Sequence, residues 1–277
     1  MRMNRRMLLM AVSLLAAATL LFACGKSGES RHAAGHGGHG EPNAAGESGL
    51  QASFSFAAGR AAANEETELT IRITDRQGTP VDKYEVNHEK LLHLIVVDHD
   101  LAYFDHIHPD YRGDGEFAVT TAFPSGGQYK VFADFIPEGG QNLTLSEWVT
   151  VEGEEAAHVE LKQDERLVRS TDGKEIELAL DEVKPGKDVK LSFTIRDDKT
   201  KEAIDDLEPY LGAVGHVVIL SADAEQYLHV HPIDEKATGP VAEFSTSFPH
   251  AGLYKIWAQF KHEGQVITAP YVVNVKS

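Results

Sequence analysis

The chain has 277 residues, 26 Lys and Arg against 43 Asp and Glu, 42% hydrophobic residues and a formal net charge of −17. This composition fits one large or two ordinary globular domains, and its acidity argues against a nucleic-acid partner, because phosphate binding needs clustered basic side chains. One cysteine in the whole chain excludes an internal disulfide and any Cys-rich zinc module.

Residues 1–23 read as a lipoprotein signal peptide, in which Arg2, Arg5 and Arg6 precede an apolar run from Met7 to Ala23. The run is short for a spanning helix and right for the hydrophobic region of a signal. The segment LFAC, Leu21 to Cys24, resembles a bacterial lipobox, which makes Cys24 the lipidated residue that anchors an extracytoplasmic body to a bacterial membrane. Met1, Met3, Met7 and Met10 all lie in the signal, so the chain beyond Cys24 contains no sulfur. Residues 24–49 read as a flexible linker rich in His and Gly, in which His32, His36 and His39 read either as part of a polar spacer or, favoured by their density, as a loose metal-collecting tract.

An internal repeat organises the remainder. HLIVVDHDLAYFDHIHP, His93 to Pro109, is followed by FPSGGQYKVFADF, Phe123 to Phe135. HVVILSADAEQYLHVHP, His216 to Pro232, is followed by FPHAGLYKIWAQF, Phe248 to Phe260. Short β-branched and aromatic runs recur in both halves: Leu69–Thr74, Leu92–Asp98, Phe117–Thr121, Tyr129–Phe135 and Trp148–Val151, then Ile176–Leu180, Val189–Ile195, His216–Leu220, Glu243–Phe248, Leu253–Phe260 and Tyr271–Val275. Gly, Pro, Asp and Asn punctuate them. The expected architecture is all-β, with two tandem immunoglobulin-like β-sandwich domains over 50–153 and 154–277 and a charged boundary region at 153–166. Leu94–Val97 and Val217–Leu220 are apolar on both strand faces, which permits a domain–domain contact.

The histidine spacing carries the chemistry. His106 and His108 follow His93 at 13 and 15 residues, and His229 and His231 follow His216 at the same intervals. In a hairpin, a turn centred on His99–Asp100 sets His93 opposite His106, and one centred on Asp100–Leu101 sets it opposite His108. Either register brings three imidazoles to one face at a distance suited to metal–nitrogen bonds of about 2.0–2.1 Å. The competing reading has these histidines hydrogen-bonding a loop at the sandwich end. Imidazole suits Zn(II), Cu(II) and Ni(II), and the lack of thiolate and thioether disfavours a Cu(I) carrier. Phe123-Pro124, Gly127-x-Tyr129 and their counterparts at 248–254 read as turn and core signals. His88, His99, His158, His250 and His262 have no counterpart in the other copy and are expected to be solvated surface. Asp134 aligns with Gln259, so a carboxylate there is not a shared ligand.

YLGAVGHVVIL, Tyr210 to Leu220, with YLHVHP, Tyr227 to Pro232, resembles bacterial exported and lipid-anchored proteins with tandem YtkA-like, immunoglobulin-like domains; the first copy has LLHLIVV and FDHIHP. The resemblance covers roughly residues 50–277 and implies extracytoplasmic metal handling, copper included. GAVGH in the second copy stands against EKLLH in the first, so the two sites differ in shape. The function expected is that of a non-enzymatic lipoprotein that binds Cu(II) or Zn(II) for buffering or delivery. The metal ligands would be His93, His106 and His108 in one site and His216, His229 and His231 in the other, with a metal-handling envelope protein as a possible partner. The alternative is a protein- or polysaccharide-binding envelope module with structural histidines. No Gly-rich phosphate loop and no G-x-S-x-G elbow supports an enzyme.

Overall fold

Leu69, Ile71 and Ile73 alternate with more exposed neighbours along one strand, and Val189, Leu191, Phe193 and Ile195 do so along its counterpart. Each run thus presents one apolar face that a second sheet must cover. The computed structural model describes residues 48–277; the signal peptide, Cys24 and the tether histidines His32, His36 and His39 lie outside the described residues. Among the described residues, no helix is long and apolar enough to cross a membrane.

The first domain contains β1 (Leu50–Phe56), β2 (Ala61–Ala62), β3 (Glu66–Asp75), β4 (Tyr84–Glu85), β5 (Leu92–Asp98), β6 (Phe104–Ile107), β7 (Asp110–Gly113), β8 (Glu116–Ala122), β9 (Gly127–Pro137) and β10 (Leu143–Glu152). One sheet has the order β1-β3-β8-β7, and the facing sheet the order β2-β10-β9-β5-β6, with β4 also on β9. The second domain contains β11 (Val168–Thr171), β12 (Lys174–Leu180), β13 (Asp188–Asp197), β14 (His216–Ser221), β15 (Tyr227–Leu228), β16 (His231–Pro232), β17 (Val241–Ser247), β18 (Gly252–His262) and β19 (Gln265–Val275). Its sheets run β11-β12-β13-β17-β16 and β15-β14-β18-β19. Two repeated all-β sandwiches result, as the periodicity requires.

Each sandwich closes over its own core, with Phe117, Phe123, Tyr129 and Phe135 in the first and Phe193, Phe244, Phe248 and Phe260 in the second. The Gly-x-Tyr signals explain themselves here. The Tyr129 hydroxyl donates to the Ser125 carbonyl and the Tyr254 hydroxyl to the His250 carbonyl, both at 3.0 Å, so each buried ring ties down the turn that precedes its strand.

A third apolar cluster lies between the domains. It contains Ile95, Val97, Leu101 and Phe132 of the first copy with Val218, Leu220, Ala224 and Trp257 of the second; Phe104, Tyr227 and Leu161 pack at its margin. These are equivalent positions of the repeat: Ile95 corresponds to Val218, Val97 to Leu220, Leu101 to Ala224, Phe132 to Trp257 and Phe104 to Tyr227. The ring contacts follow the same exchange, with Phe104 on Trp257 at 4.7 Å and Phe132 on Tyr227 at 5.6 Å. The two copies therefore pack face to face about a pseudo-two-fold axis, as in an isologous dimer. Both β5 and β14 are buried on two sides for this reason, one side facing the sandwich core and the other the partner domain.

The segment between β10 and β11 is fastened to both domains. The Val159 amide donates to Asp100 at 2.8 Å, Leu161 enters the shared apolar cluster, and the Asp164 amide donates to the Val272 carbonyl at 3.0 Å. Across the seam, Lys130 donates to Glu225 at 2.6 Å. Truncating Trp257, only 3% exposed at the centre of this interface, leaves a cavity that neither rigid sheet can fill. Trp257→Ala is expected to cost about 3–5 kcal/mol. In calorimetry it should split unfolding into separate transitions for the two domains.

Candidate metal centre

The hairpin of β5 and β6 pairs Leu94 with Ile107, Ile95 with His106, Val96 with Asp105 and Val97 with Phe104. Of the two registers open to the sequence, this is the one centred on Asp100–Leu101, and its continuation sets His93 opposite His108. Asp98 holds the loop by accepting the Ala102 and Tyr103 amides at 2.7 and 2.9 Å, while Leu101, at φ 55°, turns into the interdomain cluster. His93 shares a β5 face with Ile95 and Val97, so the histidines open toward the second domain and away from the first domain's core.

His93 and His106 are buried, and His108 is partly so. The ligand atoms of these three lie within 4.8 Å of one another, the one such His, Cys, Asp or Glu group among the described residues. His93 Nδ1 is 3.0 Å from His106 Nε2 and 3.2 Å from His108 Nε2. Bonds of about 2.05 Å from one ion to nitrogens so spaced subtend roughly 95–105°, close to a tetrahedral angle.

The outer ring nitrogens determine which atoms face inward. His93 Nε2 donates to the Asn87 carbonyl at 2.9 Å, and His106 Nδ1 donates to Gln259 Oε1 at 2.7 Å. Gln259 is oriented in turn by donating its amide to Thr268 at 3.2 Å. In the neutral tautomers so selected, His93 Nδ1 and His106 Nε2 turn their lone pairs toward each other, an arrangement that a shared cation relieves. Burial pushes the pKa of His93 down and that of His106 well below the usual imidazole range, and neighbouring imidazoles add to both effects by opposing a second positive charge. His108 is lowered to about 4 by burial and by His93. Neutral imidazole is the form that binds a metal.

The second triplet does not assemble in the same way. β14 and β15 pair only Ile219 with Leu228 and Leu220 with Tyr227, the same register as in the first copy but two pairs shorter. The chain then crosses to the other sheet, where His231 pairs with Ser245 and Pro232 with Phe244. His229 is drawn along, its carbonyl accepting the Thr246 hydroxyl at 3.0 Å and its Nδ1 the Asn142 amide at 3.1 Å. His231 is exposed. The expected second site of His216, His229 and His231 is therefore corrected: His216 parts from the other two and stands beside the first-copy cluster. Its ring centroid is 4.7 Å from that of His106 and 5.4 Å from that of His93.

Two of the histidines expected at the solvated surface also need correction. His88 occupies a tight turn closed by mutual Asn87 and Lys90 backbone bonds, with its ring 5.7 Å from His216 and 6.3 Å from His93. His262 is buried and bonded to Asp206 at 3.0 Å. His99, His158 and His250 are exposed. Gln259 is the participant that residue-type reasoning passed over; its alignment with Asp134, on the strand beside a triplet histidine in each copy, was the available signal. Gly215 permits the close approach, since a Cβ there would sit 2.6 Å from the Gln259 carbonyl oxygen.

No curated protein matches the chain. Among solved structures, the Escherichia coli adhesin FdeC is similar at 19% identity and a TM-score of 0.28, over 82% of this chain and 64% of that one. The Yersinia pseudotuberculosis adhesin InvE is similar at 12% identity and a TM-score of 0.26, over 83% of this chain and 61% of that one. The fibronectin(III)-like modules of Clostridium thermocellum CbhA are similar at 14% identity and a TM-score of 0.21, over 80% of this chain and 92% of that one. The chain spans less than two thirds of either adhesin. One family model matches twice, over residues 47–153 and again over 169–277, and the chain belongs to that family, the Domain of unknown function (DUF8832).

Proposed function

We propose that the protein is a non-enzymatic, extracytoplasmic lipoprotein that binds a divalent transition metal, Cu(II) or Zn(II), at His93, His106 and His108, for buffering or delivery. The observation that carries this reading is the convergence of three ring nitrogens, with the outward N–H groups of His93 and His106 already engaged and their inward lone pairs held 3.0 Å apart. Such outer hydrogen bonds fix tautomer and ring orientation in metal sites. The signal-like segment before Cys24 and the resemblance to YtkA-like domains support the extracytoplasmic assignment. The all-nitrogen donor set favours Cu(II) over Zn(II) by intrinsic affinity. A handling role suits a site that is partly open through His108 and His216.

Titration calorimetry of the full chain with Cu(II) and with Zn(II) tests this directly. With His32, His36 and His39 replaced by Ala so that the tether does not contribute, micromolar or tighter binding is expected, with loss on adding His106→Ala/His108→Ala and retention on adding His229→Ala/His231→Ala. Undiminished binding in the first variant would sink the site and favour the alternative reading, a binding module of the envelope with structural histidines.

Proton binding gives an independent check. The cluster histidines titrate lower in the folded chain than in the unfolded one, so the unfolded state takes up protons first as the pH falls. The metal-free protein should therefore lose stability from about pH 6.5 downward, the His108 contribution extending to about pH 4. Urea midpoints measured across that window should fall less steeply for His108→Gln than for the wild type. Saturating metal should move the loss to lower pH.

A further inference from the structure

The geometry points to His216 as a fourth metal ligand, supplied by the second domain, so that one bound ion fastens the two sandwiches together. This rests on reading His93, His106 and His108 as a metal site. His216 is the first residue of β14 and shares its face with Val218 and Leu220, both in the interdomain cluster. It therefore projects from the second domain toward the first. Within the first-copy triplet the ring centroids are 5.2, 5.0 and 4.7 Å apart. His216 meets the His93 and His106 rings at 5.4 and 4.7 Å, close to that spacing, and a rotation of its ring is needed to bring a nitrogen into the 4.8 Å group that the other three form.

That spacing has a physical origin. Four imidazoles placed tetrahedrally around an ion at a nitrogen distance of about 2.05 Å have centroids roughly 5 Å apart. His88 is farther from both neighbours, at 5.7 and 6.3 Å, and sits outside this set as a cap on the turn. The repeat supplies the reason that His216 is available. His93 and His216 are equivalent residues and contact each other, so the pseudo-two-fold axis passes between them. With β15 too short to hold His229 and His231 beside it, His216 has the first-copy imidazoles as its near neighbours. Asp134 is buried directly across from His93 on β9, in the position that Gln259 holds across from His216.

Metal affinity and domain docking then become linked quantities, each strengthening the other by the same factor. The test uses the metal-stripped full chain titrated with Zn(II) alone, in the wild type, His216→Ala and His216→Gln. X-ray absorption counts the nitrogen neighbours, and hydrogen exchange reports protection by strand. The wild type should show four imidazole nitrogens and zinc-dependent protection in both 92–98 and 216–221. Both variants should show three, with affinity reduced at least tenfold, about the lower bound for loss of even an outer-sphere partner, and with protection confined to the first domain. The Gln variant keeps the bulk and polarity of the position, so agreement between the two separates ligand loss from disturbed packing. An unchanged nitrogen count and affinity in both variants would overturn the fourth ligand and leave the three-histidine site standing. A wild type that binds no Zn(II) or Cu(II) would overturn the site and this inference together.

Discussion

The packing of the two repeats through equivalent faces is the constraint on which the other features depend. Ile95 and Val97 turn away from their own core and meet Val218 and Leu220, which do the same in the second copy. Burial of this double-sided apolar surface is non-directional, and the crossed aromatic contacts make it specific: Phe104 on Trp257 and Phe132 on Tyr227 fit only one relative placement of the sheets. Because His93 and His216 lie next along the same strand faces, that placement also decides which imidazoles meet. The histidine cluster is thus a polar end to an apolar interface, and its composition follows from the register of the interface.

With the axis passing between His93 and His216, a perfect pseudo-two-fold would treat the two triplets alike. One forms because the copies differ in how long the strand after the hairpin stays with its sheet. In the first copy four residue pairs hold it through Ile107, and the crossing to β7 begins at Asp110. In the second copy two pairs hold it, and β17 captures the chain from His231 onward. The sequence difference between GAVGH and EKLLH works in the same direction. Gly215 lets β14 run close to β18, and Gln259 in place of an acidic residue gives His106 a neutral acceptor. Duplication supplied both triplets, and divergence at a few positions placed their histidines differently.

Much of the fold was legible because alternation and repeat are local properties. The main strands of both cores follow from period-two patterning, and the apolar character of both faces of Leu94–Val97 and Val217–Leu220 already indicated a second covering surface. The edge strand Leu50–Phe56 was harder to read, since small and polar residues alternate with its phenylalanines and its partner surface is half open. The first triplet was readable because a hairpin register is arithmetic, and one of the two registers permitted by the spacing is the one formed. The second triplet had identical spacing, and the same arithmetic misplaced it. Spacing determines which residues would face each other if a ladder continues; it does not determine where the ladder ends. That depends on competition between two sheets for one segment, in which Thr246 and Ser245 on β17 hold the chain against the hairpin.

The docking of the repeats would make a metal centre at the cluster both preorganised and responsive. Its first-copy ligands stand on a hairpin whose loop is fixed by Asp98 and whose outer ring nitrogens are engaged by Asn87 and Gln259, so little rotamer freedom remains to be lost on binding. Gln259 and His216, in contrast, belong to the other domain, and their positions hold only while the apolar interface holds. On the proposed reading, an ion bound there would sense two sandwiches at once. In that case the acidic chain would attract cations in general, while the buried imidazoles would select one that exchanges water for nitrogen, favouring transition metals over calcium and magnesium. Selectivity would then reside in the ligand type and accumulation in the net charge, with the docking of the repeats connecting the two by bringing the nitrogens together.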